Sequence, residues 1–418
     1  MKRELFRLPV VAALALAAGL LVAVASGDGD DGDRSAADVI ARPSRPAEPP
    51  RPAVVVSPVA AASDDAQSAS PLPAAMTACM AQARQWRVRA GLSDLDAAAA
   101  TSLEERSRGL ALDGMAASAD PIARAAAEYF PAQRQLLALA DGAACAAQDV
   151  DCRERTDAAR AALSRHAERL VGHALATADA TAYGWAHRVC AAPAAADVPA
   201  CQLVSAGQWV RLAPGNAAPW LAVAREARRG NDPARLDEAM FQVASATRHD
   251  GATFTLAALL AAHASPDDGN PFGALLLAAK GNAFGSMADV EDMQAASAYC
   301  AGPDLADSNR REVCQRVATL LAERSSTLQA RTMARGLGKR LGWPAERLLA
   351  LQQQGDALMA ALTEPPASSP SPSPSPACTA ALRDLGHLRV AARWGEVEAL
   401  RRRVDDNPLA ETSMALAR

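Results

Sequence analysis

The spacing of eight cysteines constrains this chain more than any other feature of its sequence. Six of them are close neighbours along the chain, in the pairs Cys145 with Cys152, Cys190 with Cys201, and Cys300 with Cys314. The other two, Cys79 and Cys378, lie near opposite ends of the part expected to fold. We therefore predict three short disulfide loops and one long link. Buried free thiols are the open alternative, because spacing alone does not fix connectivity.

The N-terminus predicts export, which matters because disulfides persist mainly in oxidising compartments. Basic residues precede an apolar run over residues 8–25, which ends in Ala23-Val24-Ala25 and is followed by several aspartates. The run is longer than an ordinary signal core, so cleavage after Ala25 and retention of residues 8–25 as an inner-membrane anchor are both open. Both outcomes predict a periplasmic or otherwise extracytoplasmic protein, because the basic flank stays on the cytoplasmic side.

Composition favours an all-α fold and argues against nucleic-acid binding. Hydrophobic residues make up 50% of the chain and aromatic residues only 4%, with alanine, the strongest helix former, the dominant residue. The formal net charge is -4, whereas a nucleic-acid-binding protein needs a strongly basic face. We expect a helical protein with no nucleic-acid partner and no cofactor.

Segments poor in large apolar residues divide the chain into regions. After the leader over residues 1–25, residues 26–75 are rich in Pro, Ala, Ser and Asp, a composition typical of a disordered linker. Residues 365–376 alternate Ser with Pro, which predicts an extended, semi-rigid second linker. We expect a helical-repeat domain between the linkers, over residues 76–364. A C-terminal helical segment over 377–404 and a tail over 405–418 follow.

Capping residues mark helix ends within the main domain. Expected N-termini lie at Asp120-Pro121, Asn216, Asp232-Pro233 and Ser308, and expected stops or turns at Gly230, Gly251 and Gly302. From Arg311 to Leu341, apolar residues recur on one side of a helical projection. This pattern predicts one continuous helix with a buried stripe.

A period of about 35 residues indicates repeated helical hairpins. Trp185, Trp220 and Phe254 recur at nearly equal intervals, each near an expected helix start. The second interval resembles a tetratricopeptide repeat, on the residues Trp220, Val223, Ala224, Ala227, Ala239, Val243 and Ala246. The resemblance is best over residues 181–250 and implies stacked helical hairpins, a tetratricopeptide-like α-solenoid. It also implies that Cys190 ends the first helix of a hairpin and Cys201 begins the second.

Motifs of catalysis and metal binding are missing from the sequence. There is no G-x-S-x-G, no H-E-x-x-H and no C-x2-C. His166 and His173 are two helical turns apart, too far to share one metal ion, and we expect them at the edge of a helix interface. His263, Ser265, Asp267 and Asp268 share one loop, where turn chemistry is a simpler reading than a hydrolytic centre. We therefore predict no catalytic, cofactor-binding or metal-binding residues.

A basic helix face is the one surface feature with a functional interpretation. Arg331, Arg335 and Lys339 are four residues apart and share one side of a helix. Such a stripe can attract an acidic partner, anionic lipid or a polyanionic wall polymer.

Together these features predict an exported scaffold of the cell envelope that binds a protein or peptide partner through a helical-repeat surface, and not an enzyme. Two alternatives are open. One is a cell-envelope hydrolase with an unrecognised active site, and the other is a structural spacer that binds nothing.

Overall fold

A computed structural model describes residues 72–88, 92, 95–142, 149–264, 271–363 and 376–405. Across these residues the regular structure is helical, which confirms the all-α prediction. The α-helices are α1 (Leu72–Gln85), α2 (Ala97–Ala116), α3 (Pro121–Gly142), α4 (Val150–Thr177), α5 (Ala180–Cys190), α6 (Ala206–Leu212), α7 (Ala217–Arg229), α8 (Pro233–Ser245), α9 (Thr253–Ala264), α10 (Pro271–Tyr299), α11 (Ser308–Arg324), α12 (Leu328–Arg340), α13 (Ala345–Thr363), α14 (Pro376–Trp394) and α15 (Glu396–Asp405). The predicted leader and most of both predicted linkers lie outside the described residues.

Polar side chains cap the helices where the sequence predicted starts. The Asn216 side chain accepts a hydrogen bond from the N–H of Ala218 at the start of α7. Asp232 does the same for α8, followed by Pro233 at the first helical position. At α11 the capping side chain is Asp307, one residue before the predicted Ser308. Satisfying the free N–H groups of the first turn fixes where each helix begins.

The prediction of one continuous helix from Arg311 to Leu341 is wrong, because one helix ends at Arg324 and the next begins at Leu328. Thr327 caps α12 by accepting from the N–H of Ala330, so a new helix starts here. The C-terminal segment also contains two helices, which meet at Gly395. Gly395 has a φ of 86°, a left-handed conformation that glycine adopts without a Cβ clash.

Three of the predicted cysteine pairs are joined in the described part of the chain. The Cα atoms are 5.8 Å apart in Cys79–Cys378, 5.1 Å in Cys190–Cys201 and 5.6 Å in Cys300–Cys314, all within the disulfide range. The fourth predicted pair includes Cys145, which lies outside the described residues. Cys190 ends α5 as predicted, but Cys201 lies in a 3-10 helix, Pro199–Leu203, and the next α-helix begins only at Ala206.

The 29-residue helix α10 runs through the middle of the protein and contacts α2, α7, α9 and α14. Its contact with α9 is close because two glycines face that helix. A Cβ atom at Gly281 would lie 2.6 Å from Leu260 Cδ1, and one at Gly285 would lie 2.9 Å from Thr253 Cα. Glycine is thus required where the two helix backbones approach.

The hydrophobic core has one large and two small parts. The large part extends from α2 to α12 and contains the largest fully buried side chains, among them Trp185, Tyr129 and Phe130. A second cluster joins α1 to α14 around the Cys79–Cys378 disulfide. A third, around Leu358 and Leu400, joins α13 to α15. None of the helices in the described ranges has the length and apolarity needed to cross a membrane.

Four connectors between helices form a hydrogen-bonded row, the connector ladder, made of residues 215–217, 247–250, 324–326 and 395–397. The N–H of Ala217 donates to the carbonyl of Arg248, and the N–H of His249 donates to that of Arg324. The N–H of Val397 donates in turn to the carbonyl of Ser326. Each connector is therefore held by its neighbour in space, which places the starts of α7, α9, α12 and α15 in series.

Candidate functional site

Two arginines and two aspartates form ion pairs in the interior, where α5, α7 and α10 meet. Arg188 Nη2 on α5 lies 2.5 Å from Asp289 Oδ1 and 3.8 Å from Asp292 Oδ2, both on α10. Arg225 Nη1 on α7 lies 3.1 Å from Asp292 Oδ1. All four side chains are nearly inaccessible to water, so the charges are poorly screened. We call Arg188, Arg225, Asp289 and Asp292 the central ion network.

Neighbouring groups fix the geometry of this network. Arg188 Nη1 donates to the Gly251 carbonyl at 3.1 Å, and the Thr253 hydroxyl donates to Asp289 Oδ2. Any Cβ atom at Gly251 would overlap the Asp289 carboxylate, so a side chain is excluded at this position. The network thereby ties the start of α9 to α5 and α10.

Burial and ion pairing shift the pKa values of this network in competing ways. Burial alone would lower the pKa of Arg188, but the carboxylates of Asp289 and Asp292 outweigh burial and hold it above the ordinary arginine value. For Asp292 burial is the stronger effect, and it raises the pKa although Arg225 and Arg188 act to lower it. Burial also raises the pKa of the adjacent Tyr129 to about 12, which keeps the phenol protonated.

A second polar contact joins α5 to the α7–α8 hairpin. His187 Nε2 is 2.8 Å from Glu226 Oε1, and Arg235 Nη2 is 3.2 Å from the other oxygen of the same carboxylate. Burial alone would raise the pKa of Glu226, but the hydrogen bond from His187 outweighs it, and the pKa is lowered. The Glu226 carboxylate therefore stays ionised and bridges two helices.

An open pocket of about 90 Å³ lies beside the central ion network, between α5, α6 and residues 248–252; we call it the α5–α6 pocket. Two indoles form its floor. The Trp185 ring is stacked on Tyr129 with centroids 5.3 Å apart, and the Trp209 ring lies so close to Gly184 that a Cβ there would be 2.5 Å from Trp209 Cζ2. The contacts with Tyr129 and Gly184 therefore fix the orientation of the Trp185 and Trp209 rings.

Charged residues surround these indoles. Arg188 lines the wall, where its guanidinium carbon lies 5.6 Å from the centre of the Trp209 ring. Arg248 and Asp250 stand exposed at the rim. The Asp250 carboxylate accepts from the Ala252 N–H at 2.9 Å, which fixes its position. The α5–α6 pocket therefore combines a rigid aromatic floor with charge of both signs.

The α5–α6 pocket is lined by both charged and neutral polar groups. Its ionisable side chains are Arg188, Arg248 and Asp250, and Thr181 and Asn216 add a hydroxyl and an amide. What these groups can do is orient and hold a small charged or polar group.

Of the two histidines considered for metal binding, His166 contacts a neighbouring helix, as predicted. His166 and His173 are both half-buried on α4, and His166 Nδ1 is 2.7 Å from Glu128 Oε2 on α3. Burial alone would raise the pKa of Glu128, but the hydrogen bonds from His166 and Arg169 outweigh it and lower the pKa. Within the described ranges no group of His, Cys, Asp and Glu is arranged to hold a metal ion.

The remaining residues singled out from sequence are those at and after the end of α9 and those of the basic face of α12. His263 is half-buried beside Gly114, whereas Ser265, Asp267 and Asp268 lie outside the described residues. On the predicted basic face of α12, Arg335 and Lys339 are exposed.

The prediction was wrong for Arg331, the third residue of this face. Arg331 is buried and donates to Gln354 Oε1 at 2.9 Å. Burial, followed by repulsion from Arg401, lowers its pKa to about 10. The acidic-partner surface predicted from sequence therefore reduces to Arg335 and Lys339, for which it stays a prediction.

Sequence reasoning missed both the central ion network and the α5–α6 pocket. A signal for the network was present in α10, where Gly281, Gly285, Asp289, Asp292 and Ala296 follow one another at intervals of three or four residues. These residues share one helix face, so two acids lay on the stripe that the glycines and alanine marked as buried. Buried acids require cations, which α5 and α7 supply.

The chain was also compared with known proteins. No protein-family model, no curated protein and no solved structure matches it, so its fold and its site stand on the residues described above.

Proposed function

We propose that this protein is an exported binding protein of the cell envelope, which holds a segment of a protein or peptide partner in the α5–α6 pocket. The observation that carries this proposal is the rigid aromatic floor bordered by Arg188, Arg248 and Asp250. Recognition sites typically combine apolar walls with a few precisely placed polar groups. The α5–α6 pocket has a volume of about 90 Å³, which a single side chain can enter.

Two observations support the proposed location outside the cytoplasm and the proposed stacking of helical hairpins. Three disulfides within the described chain agree with an oxidising, extracytoplasmic compartment. The connector ladder, which sets helix starts in series, supports reading the hairpins as tetratricopeptide-like units stacked side by side. In such a stack side chains from successive helices line one surface, which suits an extended peptide.

The alternatives are less well supported. A hydrolase would need convergent titratable groups, which the α5–α6 pocket does not offer. A passive spacer would not need exposed charges of both signs, Arg248 and Asp250, beside an open cavity.

Filling the α5–α6 pocket tests the proposal. Peptides would be selected from a displayed random library on the oxidised full-length chain, and their Kd measured by calorimetry. Ala180, the first residue of α5, lines the pocket, so Ala180→Trp places an indole in its mouth. We expect binding to weaken at least about tenfold.

The matched control is Ala97→Trp, because Ala97 is the first residue of α2, follows an aspartate cap as Ala180 does, and is exposed. This variant should bind like the original chain. Equal affinity of Ala180→Trp and the original chain would contradict the proposal, as would a library that yields no binding peptide.

A further inference from the structure

One guanidinium nitrogen of Arg188 has no hydrogen-bond partner among the described residues. Its Nη1 donates to the Gly251 carbonyl and its Nη2 to Asp289, but its buried Nε has no hydrogen-bond partner among the described residues. Arg188 also lines the α5–α6 pocket. A buried donor without an acceptor is unfavourable, so an acceptor that enters the pocket and reaches Nε gains from satisfying it.

Arg248 supplies a second, freely available cation at the rim. Its side chain is exposed, lines the same pocket and makes no ion pair or side-chain hydrogen bond with another residue of the described chain. Its backbone, by contrast, is fixed by the connector ladder, through the bond from the Ala217 N–H to its carbonyl. The position of Arg248 along the rim is thus set, while its guanidinium remains open to a partner.

The charges indicate what kind of anion fits. The Arg188 charge is balanced by Asp289 behind it, and Asp250 adds a negative charge at the rim. The two carboxylates offset the two arginines. A dianion such as phosphate would therefore face two negative groups, whereas a monoanion can pair with Arg248, which has no ion-pair partner in the described chain.

We infer that the α5–α6 pocket takes the carboxylate of an acidic residue in a partner peptide, with Arg248 and the Nε of Arg188 as its donors. This inference rests on the proposed function and names the chemical class of its ligand. The two indoles of the floor keep water away from the carboxylate, which strengthens its attraction to both cations. The same carboxylate chemistry is present at a free peptide C-terminus.

Synthetic peptides test the inference on the oxidised full-length chain. The probes are acetyl-Ala-Ala-Glu-Ala-Ala-amide, its Gln counterpart, and acetyl-Ala-Ala-Gln-Ala-Ala with a free C-terminus, each titrated to about 5 mM so that a Kd of about 1 mM is measurable. We expect the Glu peptide to bind at least about tenfold more tightly than the Gln amide. Tight binding of the free-acid Gln peptide alone would assign the site to a terminal carboxylate instead of a side chain.

Substitutions assign the effect to residues. Arg248→Gln should reduce the affinity for the Glu peptide to that for the Gln amide, while Arg165→Gln, which removes an exposed arginine from α4 that does not line the pocket, should change nothing. Equal binding of the Glu and Gln amides, or no binding of the Glu peptide, overturns the carboxylate inference. The binding proposal survives that result if library-selected peptides still depend on Ala180, so the two failures are distinguishable.

Discussion

The centre of this protein and its outer edge are secured in opposite ways. In the centre, α5, α7 and α10 enclose large aromatic side chains and share the central ion network. At the edge, α1 meets α14 in a separate cluster that has only eight buried members, and a disulfide between Cys79 and Cys378 spans 299 residues of sequence. Where the buried area is small, a covalent link supplies what packing does not.

The comparison also shows that buried charges affect how helices are positioned relative to one another, and not only how stable the fold is. An ion pair in the interior gains little over apolar packing once desolvation is counted, but removing one partner leaves the other buried and unpaired. The central ion network therefore holds α5, α7 and α10 in one arrangement beside the α5–α6 pocket. The disulfide at the edge restrains the chain without specifying such a site.

The largest effect is expected from Asp289→Asn, which leaves Arg188 buried without its main counter-ion. We expect a loss of about 3–5 kcal/mol in the free energy of unfolding, measured by urea denaturation. Glu291→Gln is the control, because Glu291 lies on the same helix and pairs with Arg225 at 3.1 Å but is 57% exposed. It should lose less than about 1 kcal/mol. Similar losses in the two variants would mean that burial does not decide the strength of these pairs.

At the edge, replacing Cys79 and Cys378 together by Ser should lower the free energy of unfolding by about 2–4 kcal/mol. The open loop gives the unfolded chain more freedom, and α1 has few other contacts. Hydrogen exchange should lose protection in α1 and α14 and keep it in α5, α7 and α10. Removing the short Cys190–Cys201 link should instead expose the end of α5. Loss of protection throughout the chain in the first variant would show that centre and edge unfold as one unit.

Two glycines sharpen the contrast in packing. Gly285→Ala forces a methyl group against Thr253, including its backbone, where α9 meets α10, and should lower the free energy of unfolding by about 1–3 kcal/mol. Gly355→Ala, in the outer helix α13, meets no atom within 4 Å. It should raise stability by about 0.5–1 kcal/mol, because alanine is the better helix former. Thermal melts of both variants would reveal the opposite signs, and the same sign in both would contradict the packing difference.

The smallest effect concerns pH at the last step of the connector ladder. The Glu396 carboxylate accepts from the Leu328 N–H, and burial raises its pKa to about 7 although this hydrogen bond acts to lower it. A folded-state pKa above the ordinary value means that the stabilisation is complete below about pH 4.5 and is lost as the pH rises through about 7.

Glu396→Gln keeps an acceptor for Leu328 and cannot ionise. Between about pH 6 and about pH 7 we expect the original chain to lose about 1 kcal/mol relative to this variant in urea denaturation. Glu398→Gln, at a more exposed position in α15, should follow the original chain. Parallel pH profiles for Glu396→Gln and the original chain would contradict the assigned pKa.

Local features of the fold were readable from sequence, and the misses have specific causes. Asn216 and Asp232 predicted helix starts because a cap acts on N–H groups within three residues of it. The break at Ser325–Thr327 was missed because apolar periodicity continues across it. That break exists where the connector containing His249 must hydrogen-bond to Arg324 and Ser326, a contact that depends on chain distant in sequence.

The sequence by itself determined the all-helical architecture and favoured the two short cysteine links, because helix propensity, capping and loop closure act over short distances. The Cys79–Cys378 link was also predicted, but only the fold brings these thiols, 299 residues apart, together. Only the tertiary structure decided which charges are buried. Arg331 was expected at the surface and is enclosed, whereas Arg188 and Asp289, 101 residues apart, meet in the interior. The free energy of a charge depends on every group around it, and those groups come together only when the helices pack.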